Sequence, residues 1–340
     1  MSARASGRGG VSLRVAVERW PIAGTFTIAR GSKREAEVVV VTLRDGPYVA
    51  RGECVPYARY GETTASVVAA VEELAGELAR GLDRRALARR VGGAARSAVD
   101  LALWELEAQR AGAGVAELAG LGWPAPFPTA TTISIDAPDA MARAARALSD
   151  RALLKIKLAG DGLDLERARA VRDAAPRATL WVDANEGWDI ATYDALAPQL
   201  AELGVALLEQ PLPAHEDHAL RGRARPVPVC ADESAHGAET LAALADRYDA
   251  VNVKLDKAGG LTGAIEAIDG ARAAGLRVAL GCMVCTSLAI APACLLVARA
   301  DWVDLDGSIL LERDRDGGAR VEPGGRLVAP TLWGRAISES

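Results

Sequence analysis

Lysine is scarce in this chain. Of its 340 residues only Lys33, Lys155, Lys157, Lys254 and Lys257 are lysine, and the rest of the 40 basic residues are arginine. Cysteine is sparse too: Cys54, Cys230, Cys282, Cys285 and Cys294 are odd in number and scattered, which argues against a disulfide framework. Cys282 and Cys285 form one C-x-x-C, but no second pair completes a zinc site. Buried thiols that merely pack are favoured over a redox pair. The three histidines, His215, His218 and His236, stand in polar, loop-like sequence. No apolar run reaches membrane-spanning length. A net charge of -5 without a basic stripe speaks against nucleic acid as a partner. No G-x-G-x-x-G follows a strand, so nothing supports a dinucleotide site. The opening MSARASGRGG leads into VSLRVAVERW, not into an apolar signal core. A frayed N-terminus on a cytoplasmic protein, with no membrane partner, is expected.

What is present is periodic. From about residue 129, β-rich runs alternate with Ala/Leu/Arg helical stretches: TATTISI, LLKIKL, ATLWVDAN, VALLEQP, VPVCADES, AVNVKLD, RVALGCM and DWVDLDG. Eight β-then-α units read as a parallel barrel or a doubly wound sheet. The count of eight, and the polar residue ending nearly every run, favour a barrel with its chemistry at the C-terminal strand ends. Ahead of it, VSLRVAVERW, EAEVVVVTLRDG and YVARGECV read as antiparallel strands with a D-G turn, followed by helices such as SAVDLALWELEAQRAG. The proline-rich WPAPFP is a natural junction. After Leu311 the tail is too polar and Gly-rich for barrel core, and it is expected to fold back as a hairpin. The expected class is α/β: a (β/α)7β TIM-like barrel with an N-terminal α+β capping domain completed by the C-terminal tail. Its boundaries are expected at 1–125, 126–312 and 313–340.

Two of the rare lysines, Lys155 and Lys157, sit in the apolar run LLKIKL, and i and i+2 share one face of a strand. Two ammonium groups buried there need compensation. Positions that avoid arginine so strongly suggest amines that must lose a proton. The other strand ends supply the partners: Asp183 in VDAN, Glu209 in LEQP, Asp232 in ADES, Lys254 in VNVKLD, and Asp304 with Asp306 in DLDG. If the barrel closes, all converge on one mouth. Asp183, Glu209 and Asp232 on adjacent strands are hard oxygen donors of the kind Mg²⁺ accepts, and without a cation they would repel one another.

This series of strand ends, K-x-K, D, E, D and K, resembles the enolase superfamily in its muconate-lactonizing-enzyme subgroup. The resemblance implies one Mg²⁺ per subunit on Asp183, Glu209 and Asp232, and an enediolate stabilised by the metal and Lys155. It makes Lys157 and Lys254 the two acid/base groups, with Lys257 as the rival of Lys254. The DLDG of the eighth run, with TFTIARGSKREAEVVVV, GECVPYARYGET, LLEQPLPA, CADES, VNVKLDKAGGLT and LGCMVCTS, is similar to the dipeptide epimerase branch, over roughly residues 12 to 312. There the paired aspartates, here Asp304 and Asp306, receive the substrate's α-ammonium. The implied substrate is a dipeptide of the L-Ala-D/L-Glu type, and the implied role is peptidoglycan peptide recycling. The family is often oligomeric, so a homo-oligomer stays open.

Inverting an α-carbon needs a base on each face. The second and sixth runs of eight lie about half a barrel apart, which lets Lys157 and Lys254 flank a planar intermediate. Neighbouring cations are expected to depress lysine pKa values so that one amine starts neutral. Loops around 26–32 and 57–63 are expected to close the mouth. Arg30 and Arg59 are candidate partners for a substrate side-chain carboxylate, or else solvated loop arginines, and Thr132 is a further candidate. The alternative on this scaffold is o-succinylbenzoate synthase or muconate-type cycloisomerase chemistry, whose substrates lack the ammonium that Asp304 and Asp306 would receive.

Overall fold

The computed structural model describes residues 10–336, less the side chains at 238 and 239; the frayed start expected at MSARASGRGG lies, but for Gly10, outside them. Three antiparallel strands come first, β1 (Ser12–Ile28), β2 (Gly31–Asp45) and β3 (Tyr48–Cys54). The four valines at 38–41 run unbroken because both faces of β2 are covered. Val39 and Val41 join Leu43, Ala50 and Cys54 in one core, while Val38 and Val40 join the cluster that continues into the barrel. The helix Gly93–Ala111 is buried nearly all round for the same reason. Leu101, Trp104 and Ala108 face the barrel cluster, and Ala95, Ala98, Ala102 and Leu106 face the sheet.

After β4 (Phe127–Pro128) come eight parallel strands: β5 (Thr131–Ile133), β6 (Leu153–Lys157), β7 (Thr179–Asp183), β8 (Val205–Glu209), β9 (Val229–Ala231), β10 (Ala250–Lys254), β11 (Arg277–Gly281) and β12 (Trp302–Val303). They neighbour one another in sequence order. The two edges meet: Ala130 N donates to Val303 O at 2.8 Å, and Leu305 N donates to Thr129 Oγ1 at 2.8 Å. Inside the ring, Ala130, Leu153, Trp181, Leu207, Cys230, Ala250, Ala279 and Trp302 pack as one apolar cluster, one residue from each strand position. The curled sheet is therefore closed and filled, as in a TIM barrel.

The tail returns as a hairpin, β13 (Arg320–Glu322) and β14 (Arg326–Val328), which pairs with β4. Beyond it, Trp333 Nε1 donates to Arg51 O at 2.9 Å and Gly334 N to Glu105 Oε1 at 3.1 Å, tying the tail to the first sheet and its helix. No helix among the described residues is long and apolar enough to cross a membrane.

Cap and barrel are joined by buried acids that accept backbone N–H groups across the boundary. Asp256 Oδ1 accepts from Val55 N at 2.8 Å, Glu53 Oε1 from Thr286 N at 2.8 Å, and Asp100 Oδ2 from Thr262 N at 3.0 Å. Each bond satisfies a donor that would otherwise be stranded in the interface. Gly260, at φ +93, makes the close approach feasible, since a Cβ there would stand 2.4 Å from Asp100 Oδ2.

Candidate active site

Side chains two apart on a strand share a face. Two residues beyond the apolar ring, each strand therefore points a second residue into the barrel: Thr132, Lys155, Asp183, Glu209, Asp232, Asn252, Gly281 and Asp304. This is a charged ring directly above an apolar one. Gly281 leaves the space that Asn252 occupies, because a Cβ there would meet Asn252 Oδ1 at 2.5 Å. Asn252 Nδ2 then donates to Glu209 Oε1 at 2.8 Å. Two residues further, Lys157, Lys254 and Asp306 form the next tier toward the mouth.

The buried lysines find their counter-charges here. Lys155 Nζ, 1% exposed, lies 2.7 Å from Glu209 Oε2, 2.8 Å from Asp304 Oδ2 and 3.2 Å from Asp183 Oδ2. Its ammonium also faces the Trp181 ring, 4.6 Å from the centroid. Lys157 Nζ meets Asp183 Oδ2 at 2.5 Å, and Lys254 Nζ meets Asp232 Oδ2 at 2.7 Å. Lys257 lies in the helical turn Leu255–Ala258 just after β10, not in the strand. Its Nζ holds Asp232 Oδ1 at 2.5 Å and Asp232 O at 2.6 Å, so both rivals grip one carboxylate from its two sides.

Burial works against the Lys155 ammonium, but Asp304, Glu209 and Asp183 hold its pKa well above the usual lysine range. Lys254 is raised in the same way, by Asp232 and Glu209 against its own burial. At Lys254 the carboxylates Asp232 and Glu209 thus outweigh the lowering effect of the Lys155 ammonium. The acids divide. Burial raises Asp183, but Lys157 and Lys155 bring it down to about 2. Burial and Asp183 push Glu209 up to about 7. Burial and Asp304 likewise push Asp306 up to about 7, while Thr132 N donates to its Oδ2 at 2.7 Å. Thr132 thus contributes a backbone amide to the site.

The donor set suits a hard cation: three carboxylates at one depth on adjacent strands, with the buried oxygens Asn185 Oδ1, Asn252 Oδ1 and Asp304 Oδ1 lacking hydrogen-bond partners. As they stand, no group of three or more acidic, His or Cys side chains among the described residues is placed to hold a metal ion. Each carboxylate turns instead to an ammonium.

Several residues that the sequence did not single out complete the site. Gln210, at φ +35, accepts from Asp232 N at 2.8 Å and Ser234 N at 3.1 Å, fixing the loop that bears Asp232. Asn185 and Glu186 also have positive φ, 45 and 66. Such backbone strain gathers where structure over-determines a conformation. Arg30, on the cap, donates to Asn185 O at 2.8 Å, to Glu233 Oε1 at 2.5 Å and to Tyr57 OH. Arg59 holds Glu186 with both prongs, at 2.6 and 2.7 Å. Neither arginine is simply solvated. Adjacent acids in A-D-E-S and the polar D-A-N-E-G-W after a strand end were the available signals for Glu233 and Glu186. Cys282 and Cys285 are free thiols.

Residues 10–120 match the family described as mandelate racemase / muconate lactonizing enzyme, N-terminal domain, and residues 139–338 match the enolase C-terminal domain-like family. The chain belongs to the enolase superfamily. This superfamily member is similar to the L-Ala-D/L-Glu epimerase of Escherichia coli (strain K12), at 47% identity over 306 residues, covering 89% of this chain and 95% of that protein. It is similar to a solved enolase family member from Agrobacterium tumefaciens with homology to dipeptide epimerases, which holds sodium and L-Ala-L-Glu. The two share a TM-score of 0.92 and 47% identity, over 95% of this chain and 100% of the other. A dipeptide epimerase from Methylococcus capsulatus, complexed with Mg and L-Arg-D-Lys, aligns at TM-score 0.85 and 32% identity, over 96% of this chain and 98% of that one. Within the superfamily the chain falls in the dipeptide epimerase group, whose members are isomerases.

Proposed function

We propose that this protein inverts the α-carbon of the C-terminal residue of an acidic dipeptide of the L-Ala-D/L-Glu type, by two-base proton transfer with one Mg²⁺ per subunit. One observation carries the two-base scheme. Three strands separate β6 from β10 in either direction around the ring, so Lys157 and Lys254 rise from opposite walls of one buried mouth. One amine takes the α-proton from its face while the other delivers a proton to the opposite face. Lys155, lower in the barrel, places a fixed positive charge where the carboxylate end of the planar intermediate gains negative charge. Asp183, Glu209 and Asp232 are the residues that would hold Mg²⁺, which supplies further positive charge beside the substrate carboxylate. Asp304 and Asp306 would receive the α-ammonium, and Arg30 with Arg59 the side-chain carboxylate. Thr132 holds Asp306 in place through its amide. The loops around 26–32 and 57–63 shield the reacting carbon from water. A cytoplasmic role in recycling cell-wall peptides follows from that substrate.

The test is α-hydrogen exchange in D₂O with Mg²⁺ and L-Ala-L-Glu, read by NMR together with the appearance of L-Ala-D-Glu. Lys157→Ala and Lys254→Ala should each lower epimerisation by about a thousandfold. Each variant should still exchange the proton of one epimer only, a different one for each lysine. No exchange on any of a panel of dipeptides removes the epimerase reading, and full activity in both variants removes the two-base scheme.

A further inference from the structure

The Glu186 carboxylate lies in a cradle of donors. Arg59 Nε and Nη2 take its two oxygens at 2.6 and 2.7 Å, Arg30 Nη1 adds a contact at 3.2 Å, and Ala214 N donates to Oε1 at 2.8 Å. Two guanidinium groups and an amide around one carboxylate are the chemistry of a carboxylate-binding subsite. Here the chain's own side chain fills it. The other arm of Arg30 belongs to Glu233. Two guanidinium and two carboxylate charges leave this cluster neutral, with side-chain exposures of 7% at Glu186 and 0% at Glu233. A third carboxylate brought in by a substrate would be uncompensated in a largely buried place, which is costly. An acidic side chain therefore gains a guanidinium only by taking one from a resident acid.

Of the two residents, Glu233 is the deeper: its Oε1 is gripped by Arg30 and by Asn185 Nδ2 at 3.4 Å. Glu186 stands nearer the rim, at a backbone φ of +66 that disfavours any side chain, and its main partner Arg59 is 34% exposed. Glu186 is the one that can yield.

We infer that Glu186 is a built-in competitor for the substrate's side-chain carboxylate, and so a specificity-determining residue that weakens selection for acidic over neutral dipeptides. This rests on the dipeptide epimerase reading above. While no substrate is bound, Glu186 keeps both arginine-bearing cap loops drawn onto the barrel. When an acidic dipeptide enters, Glu186 must release Arg59 or Arg30 to it, whereas a neutral side chain demands no such exchange.

The experiment compares kcat/KM for L-Ala-L-Glu and L-Ala-L-Gln in the parent enzyme and in Glu186→Gln, which keeps shape and hydrogen bonding but not charge. The ratio of acidic to neutral should rise about tenfold or more, the size of one charge-assisted hydrogen bond no longer contested. Arg59→Gln, measured likewise, should lower the ratio, because Glu186 then turns to Arg30. A residue that merely latched the loops would lower both substrates alike and leave the ratio fixed. A ratio unchanged or lowered in Glu186→Gln, with both dipeptides still turned over, overturns the inference and leaves the epimerase reading standing. No turnover of either dipeptide by the parent enzyme sinks that reading and this inference with it.

Discussion

Replacing Lys155 with methionine asks how much of the barrel's stability hangs on one buried ammonium. Its Nζ contacts Glu209, Asp304 and Asp183 at 2.7, 2.8 and 3.2 Å, with the side chain 1% exposed. Removing one partner of a buried ion pair destabilises by about 3–5 kcal/mol. Methionine keeps the packing against Trp181 and returns about 1 kcal/mol through added apolar burial. The expected net loss is about 2–4 kcal/mol in the absence of metal. Its pH dependence follows from Glu209, already pushed up to about 7 by burial and Asp183 with Lys155 opposing them. Without the ammonium this carboxyl rises further. A carboxyl whose folded pKa exceeds its unfolded one gives stability at low pH that is lost as pH rises through the folded value. The deficit is thus nearly constant up to about pH 7, where the parent's carboxyl begins to ionise, and grows above it toward the variant's higher value. Urea unfolding followed by circular dichroism, in EDTA at about pH 5.5 and 8, reads both numbers. A variant within about 0.5 kcal/mol of the parent at the higher pH refutes the reasoning, since surface-like substitutions fall in that range.

Burial pushes the Asp256 carboxyl up to about 7. The folded protein therefore keeps a proton that the unfolded chain has released, and stability should fall by up to about 4 kcal/mol as pH rises from about 4 to about 7. Asp256→Asn, which retains an acceptor for Val55 N, should flatten that stretch of the profile; an unchanged slope counts against it. Asp306→Asn should raise KM for L-Ala-L-Glu about tenfold or more while leaving kcat nearly intact, because one charge facing the ammonium is gone. A fall in kcat alone would mean that Asp306 serves the chemistry and not the ammonium. Mg²⁺ at about a hundred times its Kd should add about 2.7 kcal/mol to unfolding stability, and Asp232→Asn should abolish that gain. Calorimetry with and without EDTA decides it.

The barrel and its charged ring were legible in the sequence because strand periodicity is strict. Once LLKIKL, WVDAN, LLEQP and CADES are strands, the i, i+2 rule alone sends Lys155, Asp183, Glu209 and Asp232 to one face. Side-chain direction beyond a strand end follows no such rule. Lys257 reaches Asp232 from a helical turn, and Glu186 turns to the cap only through a left-handed backbone that no composition signals. The meeting of three carboxylates at Lys155 Nζ likewise depends on contacts far apart in the chain. The acids at the cap boundary, Glu53, Asp100 and Asp256, carry no signal in the sequence, since they accept backbone amides distant in the chain.

The apolar ring beneath the charges, with Trp181 and Trp302 among its members, forms the floor of the charged cavity. On the proposed mechanism, the amines stand on the mouth side of this ring and exchange their hydrogen with water through the mouth. If the loops around 26–32 and 57–63 close over that mouth as proposed, label lifted from a substrate by either amine would be held until they part. The fraction returned to carbon before washing out would serve as a clock for loop opening, kept by the enzyme's own turnover.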